Sequence, residues 1–218
     1  MSDERYPMLD LFYQQYLSDE SSADFIHAVC RNYSVGTLER LAQTGGRMTR
    51  RASILAIGFV GDFSANETMG SALVDIDRGV RLLADHGIRE IWQRQGTDSQ
   101  REAIQCVYRL VGQHRMEEAI DKATSLINAN PSLSEAWNQR AVAYSAEGEF
   151  AAAFEDCREA LNCNRFHFPA AMGMGHCAMH LDDTFSALDG FRLALTLNPD
   201  LDQVRKHIVQ IERTLEDS

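Results

Sequence analysis

At 218 residues, with 44% hydrophobic and 24% charged residues, the chain is long enough for one or two domains with a sizeable core and is not composed like a disordered polymer. Its formal charge of −11 opposes the phosphate backbone of nucleic acids, whose binding rests on cations displacing counterions. Apolar runs such as Ile54 to Val60 fall far short of the roughly 20 residues a bilayer span needs, so neither nucleic acid nor membrane is an expected partner.

The start, Met1 to Arg5, is polar and acidic, without the basic and apolar segments of a secretory signal. Cys30, Cys106, Cys157, Cys163 and Cys177 form an odd set with no Cys-x-x-Cys pair, which suggests neither a disulfide framework nor a zinc knuckle. Reduced thiols in the cytoplasm are the expectation.

In residues 1–20, Met8, Leu9, Phe12, Tyr13, Tyr16 and Leu17 recur at helical spacing, predicting an amphipathic helix that caps the first end of the fold. Docking of a partner, or of a second copy, is the alternative role. Ser21 and Asp24 then form a Ser-x-x-Asp helix start ahead of Phe25, Ile26, Val29, Cys30 and Tyr33. A short helix with Leu38 and Leu41 breaks at Thr44-Gly45-Gly46, and a second over residues 48–60 closes at Gly61-Asp62. The cycle restarts with Met69, Leu73 and Val74, breaks at Asp75 to Asp77, and continues as a helix with Val80, Leu83, Ala84, Ile88 and Trp92. A shift of 31 residues overlays Leu38 on Met69 and Arg50 on Arg81. Gln95-Gly96 ends this region, and Thr97 with Gln100 supplies a capping box that starts the next helix.

From there the chain repeats every 34 residues: Ala103, Trp137 and Ala171; Val107, Ala141 and Gly175; Leu110, Tyr144 and Ala178; Ala119, Ala153 and Ala187; Ala123, Cys157 and Phe191; Leu126, Ala160 and Ala194. Such a period marks stacked helix pairs. Slim side chains at Ala141 and Gly175 are expected where each first helix crosses its own second helix, at Ala153 and Ala187. Pro131 and Pro199 are expected to stop helices, with a looser turn at Arg165, and Ser132 with Glu135 reads as another capping box. Residues 202–218 continue as an amphipathic closing helix with Val204, His207, Ile208, Ile211 and Leu215 on one face.

Two resemblances follow. Asp77-Arg78-Gly79-Val80-Arg81-Leu82-Leu83-Ala84 resembles the D-x-x-V-R-x-x-A helix of HEAT-type repeats, in which aspartate and arginine ladder between units; the earlier copy keeps only the arginine. Trp137, Ala141, Tyr144, Gly148, Ala153, Ala160 and Leu161, then Gly175, Ala187, Phe191, Ala194 and Pro199, resemble the tetratricopeptide (TPR) repeat. The implied fold is an all-α, right-handed superhelix. Its parts are a cap over 1–20, HEAT-like pairs over 21–96, TPR units over 100–133, 134–167 and 168–201 within a segment spanning 97–201, and the closing helix over 202–218.

Candidate chemistry is sparse. His176 and His180, four apart, have a spacing that can hold zinc, with His167 as a conceivable third ligand, but the glutamate of a His-Glu-x-x-His motif is missing. Gly173-Met174-Gly175 is no phosphate loop, and Cys157 reads as a core thiol. Arg47, Arg50, Arg51, Arg78 and Arg81 could form a basic strip, unless they pair with Asp62, Asp75, Asp77 and Asp85. No metal, cofactor or catalytic residue is expected.

The TPR resemblance implies a non-enzymatic adaptor that takes a peptide or helix of another protein in its concave groove. By that resemblance the groove is lined by Ile104, Tyr108 and Val111; Glu135, Asn138, Val142 and Ser145; and Met172, His176, Met179 and His180. TPR modules that clamp acidic chaperone tails carry lysine and asparagine where Ile104 and Tyr108 stand here. An apolar and basic partner segment is therefore expected. The rival reading is an enzyme, or a binder of small molecules or metal, using a pocket at the HEAT–TPR junction.

Overall fold

The computed structural model describes residues 7–216, and among them every regular element is helical. The chain divides into two compact units, one ending at Arg94 and the other beginning at Gln95. No helix among the described residues is long and apolar enough to cross a membrane.

The first unit contains α1 (Met8–Asp19), α2 (Ser22–Asn32), α3 (Val35–Thr44), α4 (Arg47–Val60), a 3-10 turn (Phe63–Ala65), α5 (Asn66–Ala72) and α6 (Arg78–Gln93). Four of these starts are capped by side chains: Ser21, Ser34, Asp62 and Asp77 each accept a backbone N–H two or three residues ahead. Each cap satisfies a donor the helix itself cannot, a contribution of about 1 kcal/mol. Helix α4 is the hub, packed against α1, α2, α3, α5 and α6. It crosses α6 where two glycines meet, and a Cβ on Gly58 or Gly87 would lie 3.0 Å from the other's Cα.

Helix α1 docks on α2 and α4, but by a narrower face than its apolar pattern predicts. Leu9, Asp10 and Tyr13 are buried, and Tyr16 meets the rings of Phe25 and Phe59, whereas Met8 and Leu17 are exposed. A twelve-residue helix on a small unit has only one stripe to hide, so the flanking apolar residues stay in solvent. On α2, Phe25 and Val29 are buried and Cys30 is exposed. The expectations for Met1 to Arg5 lie outside the described residues.

Three of the five arginines of the expected basic strip are taken up within the unit, while Arg47 and Arg78 are exposed. Arg50 grips Asp75 through two bonds of 2.9 Å, and Arg51 grips Asp77 at 2.6 and 2.9 Å. Arg81 donates to the Asp75 carbonyl at 3.0 Å. Asp77 also caps α6 by accepting Val80 N–H, and its carboxyl is held down at about 2, first by the Arg51 hydrogen bond and against the effect of burial. Asp62 and Asp85, the other candidate partners, bond instead to Ser64 N–H and to Arg89.

The second unit contains α7 (Asp98–Gly112), α8 (Met116–Ala129), α9 (Ser134–Ala146), α10 (Phe150–Cys163), α11 (Phe168–His180), α12 (Thr184–Leu197) and α13 (Asp202–Glu216). Each helix packs on the next, and the first helices α7, α9 and α11 adjoin in turn. This makes an all-α helical-repeat solenoid. The Thr97–Gln100 capping box is formed in full. The small residues in 34-residue register, Ala119, Ala123, Ala141, Ala153, Ala160, Ala171, Ala178, Ala187 and Ala194, are all buried. Cys157, at 3% exposure, is a core thiol among them.

The closest helix crossing is displaced from its expected place. A Cβ on Gly175 would lie 2.5 Å from the Phe191 ring, and one on Gly190 would lie 2.6 Å from the Gly175 nitrogen, so the backbones meet at Gly190 and not at Ala187. The turns also differ from expectation. Helices α8, α10 and α12 end before Asn130, Asn164 and Asn198, which share nearly the same extended backbone. Each asparagine side chain accepts the N–H two residues on, at 3.1–3.2 Å. The asparagine makes the turn, so Arg165 in place of proline loosens nothing; its guanidinium lies 4.7 Å from the Phe166 ring. Within hairpins the left-handed position falls in register at His114, Gly148 and Asp182.

Helix α13 closes the unit by burying Val204 and Ile211 in a cluster with Ala187, Leu188 and Phe191. Its His207 stacks on Phe191 at 5.3 Å. Leu215, expected on the same face, is exposed because it lies past the last contact.

Candidate partner-binding groove

The side chains marked for the groove come from α7, α9 and α11, and they separate by depth. Ile104 is 5% exposed, enclosed by Leu126, Ile127, Leu133 and Ala136, so it has no surface to offer. Glu135 and Asn138 are buried too. Tyr108, Val111, Ser145, Met172 and His176 are half-buried, while Val142, Met179 and His180 are exposed.

Glu135 is no capping residue. Ser132 instead donates to Asn130 Oδ1 at 2.7 Å, and α9 begins after Leu133 without a side-chain cap. The Glu135 carboxylate turns inward and accepts the Tyr108 hydroxyl at 2.6 Å and His167 Nε2 at 3.2 Å. His167 Nδ1 accepts Ala170 N–H at 3.1 Å, which leaves Nε2 as the nitrogen that donates to Glu135. Three successive first helices are thus joined through one buried carboxylate. Burial pushes that carboxyl up, but the hydrogen bond and electrostatic attraction of His167, with hydrogen bonds from Tyr108 and Gln139, outweigh it and hold Glu135 below the ordinary glutamate value.

His167 therefore sits at the start of α11, fully buried, and not with the other two histidines. Its signal in the sequence is one of register: the positions 34 residues away on either side are Leu133 and Leu201. His176 and His180 are engaged with rings. His180 lies flat on Phe150 with centroids 4.0 Å apart, and His176 meets Phe191 edge-on at 5.0 Å and His207 at 5.1 Å. Burial lowers the His176 pKa, aided by His207 and His180. Among the described residues no three His, Cys, Asp or Glu side chains are grouped so as to hold a metal ion.

A second joint was not legible. Arg140 binds both oxygens of Asp156, at 2.7 and 2.8 Å, and Thr124 at 2.9 Å, tying α8, α9 and α10 together. It also lies over Trp137 at 5.0 Å and Tyr144 at 5.7 Å.

Helix hairpins in register, with their first helices side by side, define an α-solenoid of stacked helix pairs. The particular fold is the tetratricopeptide repeat. The first TPR of Spaghetti (RPAP3), solved bound to the HSP90 peptide SRMEEVD, superposes with a TM-score of 0.52 at 25% identity, covering 54% of this chain and 95% of that one. The TPR2AB domain of yeast Sti1, in complex with pHSP90, aligns over 94% of this chain and 95% of that one, with a TM-score of 0.48 and 14% identity. In sequence, 102 residues, 47% of the chain, are 30% identical to sperm-associated antigen 1 of Rattus norvegicus. The chain spans only 11% of that relative's length. No family profile matches the chain.

Proposed function

We propose that the second unit is a protein-interaction module, not a catalyst, holding an extended or helical segment of a partner protein along α7, α9 and α11. The observation that carries this reading is the arrangement of that face: α7, α9 and α11 lie side by side, and Met172, Val142 and Met179 leave apolar surface on it. The related RPAP3 domain holds the acidic peptide SRMEEVD. Here Ile104 is enclosed in the core and Tyr108 is bonded to Glu135, so neither position offers an acidic tail a cation. A segment with apolar anchors and lysine or arginine suits this groove better.

The first unit, in this reading, is a pair of HEAT-like repeats ending near residue 96. Support comes from Arg50 and Arg51 of one helix pair gripping Asp75 and Asp77 of the next. All five cysteines are free, which suits work in the reducing cytoplasm.

Selection of peptides from a random displayed library by the immobilised full chain tests the groove. The expected winners combine leucine, methionine or aromatic residues with lysine or arginine, and Val142→Glu with Met179→Glu abolishes their enrichment. Enrichment of acidic carboxyl-terminal sequences would overturn the proposal.

A further inference from the structure

The turns that join the helices of the last two complete hairpins abut. Phe150, the first residue of α10, stacks on His180, the last of α11, with ring planes 2° from parallel. That contact sets Glu147-Gly148-Glu149 beside Leu181-Asp182-Asp183. Just beyond, Phe185 is 76% exposed and Leu181 46% exposed, although α12 buries Ala187, Leu188 and Phe191 within the next two turns. Glu147, Glu149, Asp182 and Asp183 are all exposed, and neither turn contains a lysine or arginine. Of the four, Asp183 is already used, since it caps α12 through Ser186. The remaining three frame two large apolar side chains with negative charge.

We propose that this edge, Leu181 and Phe185 bordered by Glu147, Glu149 and Asp182, is a second docking surface, distinct from the groove, for a basic amphipathic helix of a partner protein. Charge complementarity selects the occupant. Leucines spaced to meet Leu181 and Phe185 gain burial, while flanking lysines meet the carboxylates. A second copy of this chain fits less well, because two bodies of charge −11 repel.

The test is fluorescence anisotropy with a labelled synthetic leucine–lysine helix and the full chain. The expected result is saturable binding of one peptide that weakens as salt rises through about 0.15 M, where the screening length is ~8 Å. Leu181→Ser with Phe185→Ser raises Kd at least about tenfold. Glu149→Gln with Asp182→Asn flattens the salt dependence, touches no packing, and carries the test if the serine variant melts early. Val142→Ser in the groove leaves the binding unchanged, so failure of the edge and failure of the groove are told apart. The proposal is overturned if these edge variants bind like the parent or if a leucine–glutamate helix binds equally well. It is also overturned if light scattering shows that the free chain self-associates and that the serine variant does not, since a second copy would then be the occupant.

Discussion

The two units achieve helix packing by different means. The second relies on a beat of small residues, so each hairpin presents nearly the same slim surface to the next, and charge enters its interior at two joints, Glu135–His167 and Arg140–Asp156. The first has irregular helices of seven to sixteen residues gathered on α4, and charged grips link its α4 to the turn that starts α6. Repetition allows a solenoid to be held mostly by shape. Where repetition lapses, directional bonds fix the register of one helix pair against another.

The sharpest way to break that contrast is steric. Gly175→Val drives a side chain into Phe191 and against Gly190, and urea unfolding is expected to lose roughly 3 kcal/mol or more. A loss below about 1 kcal/mol would mean the crossing is looser than its distances imply. Next comes the buried joint. Glu135→Ala strands the Tyr108 hydroxyl and His167 N–H, for an expected loss of about 1–3 kcal/mol, whereas Glu135→Gln keeps an acceptor and costs less. Equal losses would show that charge, not hydrogen bonding, is what matters there.

In the first unit, Asp77→Asn removes the Arg51 grip and weakens the cap of α6, with an expected loss of roughly 1–2 kcal/mol after allowance for partial exposure. Because the Asp77 pKa falls from 3.8 to about 2 on folding, its stabilisation is present above pH 3.8 and fades as pH drops towards 2. An acid titration of stability that Asp77→Asn leaves unaltered across that window would contradict the assignment. In the second unit the pH window is higher. The His176 pKa is depressed on folding, so its contribution is present above 6.5, the ordinary value, and is lost as pH falls below it; His176→Phe should flatten that part of the curve. The smallest effect is expected at Leu17→Ser, within about 0.5 kcal/mol, because this side chain is exposed even though its spacing marks it as apolar face.

The helix-pair character of the second unit could be read from the sequence, because a fixed period samples the same packing environment three times and errors in one copy are corrected by the others. The Asn130, Asn164 and Asn198 turns were present in that same register and were overlooked in favour of proline, although side-chain acceptance of an N–H does the turning. The place of Glu135 escapes the sequence for a subtler reason. A serine three residues before a glutamate matches a capping box, but the match is local, and it cannot sense a histidine 32 residues on that offers the carboxylate a buried partner. For α1, spacing told which residues were apolar without telling how wide a stripe α2 and α4 would cover.

Local spacing thus determined by itself that the chain is helical, where its hairpins begin, and which slim residues line their interfaces, since those properties depend on neighbours within one turn or one repeat. Tertiary structure alone decided the partners of its buried charged groups, the burial of Glu135 and Ile104, and the exposure of Leu181 and Phe185. Surface pairs such as Asp85–Arg89 lie within one helical turn, but Arg50–Asp75, Arg51–Asp77, Arg140–Asp156 and Glu135–His167 join groups 16 to 32 residues apart, which no short window along the chain brings together.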